Sequence, residues 1–168
     1  MNITVQQIIV NTPTWVWMLL VALFILGIKN SQERAVNMAK MFVAPLIFMI
    51  WGLWTITTSF SHIGVTLTSY VIFIVPGFLI GYVLNKNFQA FYIKNSTFYK
   101  KTSYLPLVIV LLNFVVKYGL NVMLVFYHSD LFHVVYSSAN GLTVGLFFGG
   151  IVYTILIKSE IKNSKVVA

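Results

Sequence analysis

Five long apolar runs limit what this chain can become: 13–28, 41–60, 65–84, 104–126 and 134–157, each of 16 to 24 residues. At a rise of about 1.5 Å per residue, a helix of that length crosses the roughly 30 Å hydrocarbon layer of a bilayer. Strands that face lipid on one side alternate in polarity, and these runs do not, so helices are the only spanning structure they fit. The rest of the composition agrees. Only 8% of residues are charged, against about 25% in an average soluble domain, so a water-soluble fold would expose more apolar surface than soluble monomers tolerate. The expected architecture is an all-α polytopic membrane bundle of five transmembrane helices, a single domain over 1–168.

The charges orient it. Lys29, Arg34 and Lys40 lie between the first two runs, Lys86, Lys94, Lys100 and Lys101 between the third and fourth, and Lys158, Lys162 and Lys165 in the tail 158–168. The other connections hold no Lys or Arg, so ten of the 11 basic residues share one face and Lys117 alone falls inside a run. Basic loops stay cytoplasmic, which gives an N-terminus outside and a C-terminus inside. Thr12 before Pro13 reads as a helix cap and first helical residue, with Trp15 and Trp17 as interfacial anchors.

A net charge of +8 in a soluble protein points to nucleic acid. Here the loop 85–103 sets Phe88, Phe91, Tyr92, Phe98 and Tyr99 among four lysines beside two spans. It reads as an interfacial segment, with rings in the headgroup layer and lysines on anionic lipid. The implied partner is phospholipid at the cytoplasmic face, not nucleic acid.

Small residues mark where helices meet. Gly141, Gly145 and Gly149 recur every four residues with Ser137 one turn earlier, and Gly77 and Gly81 repeat the pattern in the third run. Such stripes let two helix backbones approach closely. The approach is either within the chain or across a seam, in a homodimer or against a larger membrane complex. Pro76 lacks the N–H that would bond the Ile72 carbonyl, so Pro76 and Gly77 read as a kink or hinge that frees a backbone oxygen.

Lys117 carries the most information. An ionised lysine near the bilayer centre costs about 2.5–3.5 kcal/mol on insertion scales, and no acidic residue lies within any run. Asn113, Lys117 and Asn121 share one helix face at four-residue spacing. Counted from the outer helix ends, Thr55, Tyr70, the Ile72 carbonyl, Lys117, Asn121, Asn140 and Thr143 fall in one layer about 7–14 Å deep. Three readings follow. The lysine pins the bundle by hydrogen bonding to Asn and Thr oxygens and a carbonyl. Alternatively it is the counter-charge for an anionic ligand in a pocket lined by Asn113, Asn121, Asn140, Thr143 and Tyr70, or it carries a proton through a transport cycle.

All three histidines fall at the outer ends of the runs: His62, His128 and His133, with Asp130 between the last two. Two imidazoles and a carboxylate are a metal donor set, though the spacing matches no established zinc motif, and His62 with His133 is a bis-histidine haem arrangement. Catalysis of the soluble type has little to stand on. There is no Cys and three acids in all, which removes thiol and paired-carboxylate chemistry, and no nucleophile or phosphate-loop motif is present.

The segments Thr12-Pro13-Thr14-Trp15-Val16-Trp17, Pro106-Leu107, Phe114-Val115-Val116-Lys117-Tyr118 and Gly145-Leu146-Phe147-Phe148-Gly149 run in order along the chain. In these the chain resembles a family of small bacterial inner-membrane proteins with a Phe-x-x-Lys-Tyr element and a late glycine-rich helix. Members often end that helix with Gly-Arg, where this chain has Gly149-Gly150. The resemblance implies a bacterial plasma membrane and supplies no activity. The residues themselves lead to a transporter-like or ligand-binding protein centred on Lys117. The alternatives are an accessory subunit packing through its glycines, and metal or haem handling at the histidines.

Overall fold

The computed structural model describes residues 12–60, 62–95, 97–126 and 129–164. Along the chain run α1 (Thr14–Ser31), β1 (Arg34–Ala35), α2 (Met38–Met41), α3 (Val43–Ser59), α4 (Ile63–Phe88), β2 (Phe91–Lys94), β3 (Thr97–Lys100), α5 (Leu105–Phe126) and α6 (Asp130–Ser164). The stretches Met38–Ser59, Ile63–Phe88, Leu105–Leu124 and Asp130–Asn163 are long and apolar enough to cross a membrane, and the apolar part of α1, Val16–Ser31, is shorter. The outward faces carry side chains that water would reject, among them Met18, Ile50, Trp54, Val75 and Val115, each more than half exposed. That is the surface hydrocarbon covers. The fold is that of a helical membrane protein.

The tightest contact joins α4 and α6, and glycines on both sides explain it. Gly141 lies against the Tyr70 carbonyl, Gly145 against that of Ile74 and Gly149 against that of Phe78; in return Gly77 and Gly81 lie against the carbonyls of Leu142 and Leu146. Residue numbers rise together along both helices, so the pair is parallel. At each of these positions a Cβ would collide with partner backbone, which cannot rotate away as a side chain does. Close backbone approach brings Cα–H groups onto carbonyl oxygens and maximises dispersion contact, the forces available where lipid is as apolar as leucine. The glycine stripe of α6 is therefore filled by α4 of the same chain, and a seam between copies or with a larger complex has no free glycine face there. Pro76 sits inside an unbroken α4, and its neighbour Gly77 serves this packing.

Helices α1, α4 and α6 run one way, and α3 and α5 return. α5 packs chiefly on α1 and touches α3, α4 and α6 sparsely. The Thr12 hydroxyl, expected as a cap for α1, instead hydrogen-bonds the Tyr118 hydroxyl on α5, and α1 starts behind Pro13 without a side-chain cap.

One end differs from the all-α expectation. Segment 85–103 is not a featureless interfacial loop: β2 and β3 form a hairpin, and β1, from the loop after α1, adds to β3, so the sheet order is β1-β3-β2. Asn95 turns the hairpin with φ of 48°, a left-handed conformation that asparagine tolerates better than most residues. The pairing places Phe91, Ile93, Phe98 and Lys100 on one face. Phe91 stacks on Phe98 at 5.1 Å and lies 6.1 Å from Tyr153 of α6. Buried Lys100 donates to the Asn30 carbonyl at 2.9 Å, a cation on the negative end of α1. The opposite face carries Tyr92 stacked on Tyr99 at 5.5 Å, with the Tyr92 hydroxyl donating to Glu33. Much of the aromatic content assigned to lipid headgroups therefore packs on itself and on the helix ends. Alternation on both sides of Asn-Ser was the strand signal.

Candidate functional site

The polar groups of the middle layer come from α3, α4, α5 and α6 and meet around the inner face of α3. Lys117 is 5% exposed. Its Nζ donates to the backbone oxygen of Phe48 at 3.2 Å and lies 5.0 Å from the centroid of the Phe48 ring and 5.5 Å from that of Trp51. A carbonyl and two ring faces, all negative in partial charge, therefore surround the ammonium. No carboxylate joins them, and two of its three hydrogens have no hydrogen-bond acceptor among the described residues.

One turn further along α5, Asn121 donates from Nδ2 to the Lys117 carbonyl at 2.7 Å and accepts at Oδ1 from the Tyr136 hydroxyl at 3.4 Å. Tyr136 belongs to α6, where its hydroxyl also neighbours Thr55 and Asn140. Asn140 donates to the Tyr136 carbonyl at 2.9 Å, and Thr143 to the Asn140 carbonyl at 2.9 Å. Thr143 thus turns its hydroxyl back onto its own helix. Thr55 does the same to Trp51 at 3.1 Å. Lys117, Asn121, Tyr136 and Asn140 form a chain of polar contacts from α5 to α6.

Several atoms of this layer are left over. The Tyr70 hydroxyl, both amide atoms of Asn113, the Ser137 hydroxyl and Asn140 Oδ1 are buried with no hydrogen-bond partner among the described residues. Buried polar atoms in folded proteins are paired in nine cases of ten or more, with protein or ordered water. Hydrocarbon offers no substitute partner. Of the residues expected here, Lys117, Asn121 and Asn140 gather in one network, Tyr70 reaches its edge, and Asn113 is fully buried one turn along α5 from Lys117. Among the described residues no hydrogen bond joins the Ile72 carbonyl to the group.

Three residues escaped the sequence reading, the first being Tyr136, whose hydroxyl links Asn121 with Thr55 and Asn140. Phe48 contributes through its backbone oxygen, which has no side-chain signature. Gly52, one turn beyond Phe48, is buried against Tyr70 and Asn140: a Cβ there would be in ordinary van der Waals contact, 3.4 Å from the Tyr70 ring and 3.7 Å from both the Tyr70 hydroxyl and Asn140 Oδ1. A lone glycine in an apolar run gave no sign of this.

The histidine end is a smaller cluster. His62, at the start of α4, places Nε2 3.5 Å from one Asp130 oxygen, and His133 Nδ1 lies 4.0 Å from the other. His133 is buried and stacks on Phe60 at 4.3 Å, and Phe60 meets Tyr136 edge-on at 5.4 Å. Asp130 opens α6, where a carboxylate favours the positive helix end. Among the described residues no group of three His, Asp or Glu side chains is disposed to hold a metal; His128 lies outside those residues.

The layer and the apolar exterior together define an integral membrane helix bundle with a polar interior. Comparison with known proteins carries the identification one short step further. Over 44 residues the chain is 41% identical to an uncharacterised protein of Pasteurella multocida (strain Pm70), a stretch that is 26% of this chain and 34% of that one. The chain thus matches about a third of that relative's length. No family model matches the sequence, and no solved structure matches it.

Proposed function

We propose that this chain is a small transporter-like or ligand-binding protein of the bacterial inner membrane, whose polar layer takes a small anionic ligand with Lys117 as its counter-charge. In this reading it spans the membrane five times, with the sheet end in the cytoplasm and the histidine end outside. The basic residues support the orientation: Lys29, Arg34, Lys40, Lys86, Lys94, Lys101, Lys158 and Lys162 all sit at the sheet end or on the helix ends beside it. The bacterial setting rests on the family resemblance.

One observation carries the functional part. A buried lysine with hydrogens to spare stands in the same layer as buried donors and acceptors that have no partner. If the lysine served only to pin helices, its neighbours would be paired with it and with one another, because unmet groups cost about 1–3 kcal/mol each. An anion meets the spare hydrogens of Lys117 and supplies the charge that no acidic side chain provides.

Native mass spectrometry of protein released in mild detergent tests this. The expected result is a defined non-lipid adduct that disappears in Lys117→Met while the variant stays folded. A wild-type spectrum holding phospholipid alone overturns the reading and leaves Lys117 as a structural residue.

A further inference from the structure

The sheet sets two positive charges directly opposite one another. In the β1/β3 ladder Arg34 pairs with Lys100, and residues paired in this way share one face of a sheet, where like charges repel. Arg34 is exposed on that face and makes no ion pair among the described residues. Lys100 is buried, and its hydrogen bond goes to the Asn30 carbonyl, an acceptor without a full charge. The repulsion is felt at the amine, which is lowered to about 8 by burial first and by Arg34 second.

The acids of this end do not offset the pair. Glu33 directly precedes Arg34 and accepts from the Tyr92 hydroxyl, which belongs to the opposite face of the sheet. Glu160 acts on Tyr153, which lies beside Phe91 of β2. In the order β1-β3-β2 that is two strands from Arg34, about 10 Å. Two cations held in register without a carboxylate leave their counter-charge to something outside the chain.

The surroundings say what chemistry supplies it. β3 is tied to the end of α1, because the Ser103 amide bonds the Ser31 carbonyl at 2.8 Å, and Lys29 adds a further positive charge in the last turn of α1. Tyr104, next along the chain, is 70% exposed, as befits an aromatic ring at a membrane interface. From Ile28 back along α1, Ile25 and Phe24 continue as an exposed apolar face. A phospholipid has the same order of parts, an anionic headgroup followed by acyl chains, and a guanidinium meets two phosphate oxygens at once.

We propose that Arg34 and Lys100 form a binding site for the phosphate of an anionic phospholipid in the leaflet at the sheet end, with the acyl chains lying along α1. The site requires only that this end meets a membrane surface, so it is independent of the anion reading of Lys117.

Titrating the delipidated protein in detergent with phosphatidylglycerol, and with phosphatidylcholine of the same acyl chains, tests the site when the first bound lipid is counted by native mass spectrometry. The wild type is expected to bind phosphatidylglycerol about fivefold tighter or more, the effect of one basic residue at an anionic surface. Arg34→Gln, a change at an exposed position, is expected to bring the two lipids level. Lys94→Gln removes the same charge from the other face of the sheet and is expected to keep the preference. Equal binding of the two lipids by the wild type overturns the site, as does a preference that survives Arg34→Gln. A preference reduced equally by Lys94→Gln reports diffuse charge and overturns it too. Glycerol phosphate, the headgroup chemistry without chains, is expected to leave the bound lipid in place; displacement by it assigns the pair to a soluble phosphate ester and overturns the lipid as occupant. Without lipid, Arg34→Gln relieves a repulsion and is expected to melt at or above the wild type. A lower melting temperature would mean that the protein itself offsets the pair, and overturns the site.

Discussion

The α4/α6 pair and the seam between α5 and the rest of the bundle lie side by side and are built on opposite terms. Between α4 and α6 backbone meets backbone, glycine against carbonyl on both sides, and polar side chains take little part. Along α5 the contacts with α3 and α6 are few: Leu120 and Leu124 pack on the cluster that holds Phe48, Ile56 and Tyr136, and two polar contacts cross beside them, Lys117 to the Phe48 carbonyl and Tyr136 to Asn121. The first interface has a single packed solution, because neither backbone can yield. The second is held by long side chains that have other rotamers and incompletely used hydrogen bonds. A transporter-like protein needs one unit that stays fixed and one that moves against it. In the transporter-like reading proposed above, the glycine pair is suited to the fixed part, and the α1/α5 unit to the moving one.

This contrast can be broken experimentally, most severely at the glycines. Gly145→Leu would drive a branched side chain into the Ile74 carbonyl and the Phe78 amide. Overpacking usually costs about 1–3 kcal/mol, and since backbone cannot move aside here the loss is expected at or beyond the upper end. Thermal unfolding in detergent should show a large drop or no folded protein. A melting temperature close to that of the wild type would mean that α4 and α6 do not meet as described.

Lys117→Met should behave in the opposite way. It removes an uncompensated cation from the bundle interior and keeps an apolar stem of similar length, so the melting temperature should stay level or rise by several degrees. A collapse of the fold would make the lysine a structural pin and bring the two interfaces closer in kind. Asn113→Leu sharpens the same point. Both its amide atoms are buried without partners, and replacing them with an apolar side chain of similar shape should stabilise the empty protein by about 1–3 kcal/mol. A loss of stability instead would show that an ordered water or ligand normally satisfies the amide.

The smallest effect is expected where α1 is fastened to the sheet. The Lys100 amine is lowered from 10.5 to about 8, first by burial and then by nearby Arg34. Between pH 8 and pH 10 the unfolded chain still holds this proton while the folded chain gives it up, so stability should rise with pH across that window and stay flat below it. The melting temperature of wild type measured against Lys100→Met isolates the slope. A difference between the two that does not change from pH 7 to 10 would place the amine in contact with water.

Where the sequence was legible and where it was not follows from the kind of signal each feature leaves. Apolar runs and basic loops are properties of whole segments, and they placed the helices to within a few residues; α6 alone extends well past its run, from 134–157 to Asp130–Ser164, because Lys158, Glu160 and Lys162 continue a helix whose sides are polar there. Glycines at four-residue spacing announced a close contact, within the chain or across a seam, without saying that Gly77 and Gly81 are its other half. The alternating topology made the third and fifth runs parallel, but nothing in the pattern said which carbonyl each glycine meets. Lys117 was legible as a buried cation, but its partner was not, because a main-chain oxygen looks the same at every residue. The sheet was missed for a different reason. Aromatic residues and lysines in alternation suit a headgroup layer and a hairpin equally well, and what decided between them was β1, over sixty residues earlier, which no local reading of 85–103 includes.

That distant strand also sets a timetable. Arg34 and Ala35 pair with Lys100 and Tyr99, so β1 is made long before the strand it belongs to. At about 5–20 residues per second the ribosome needs several seconds to deliver β3. Until then the end of α1 lacks both the Lys100 contact at Asn30 and the Ser103 amide that bonds the Ser31 carbonyl at 2.8 Å. α5 follows directly behind β3, so the fastening of α1 and the arrival of the helix it packs on fall at the same moment of synthesis. The C-terminal end of α1 thus waits for its fastening on chain made long after it.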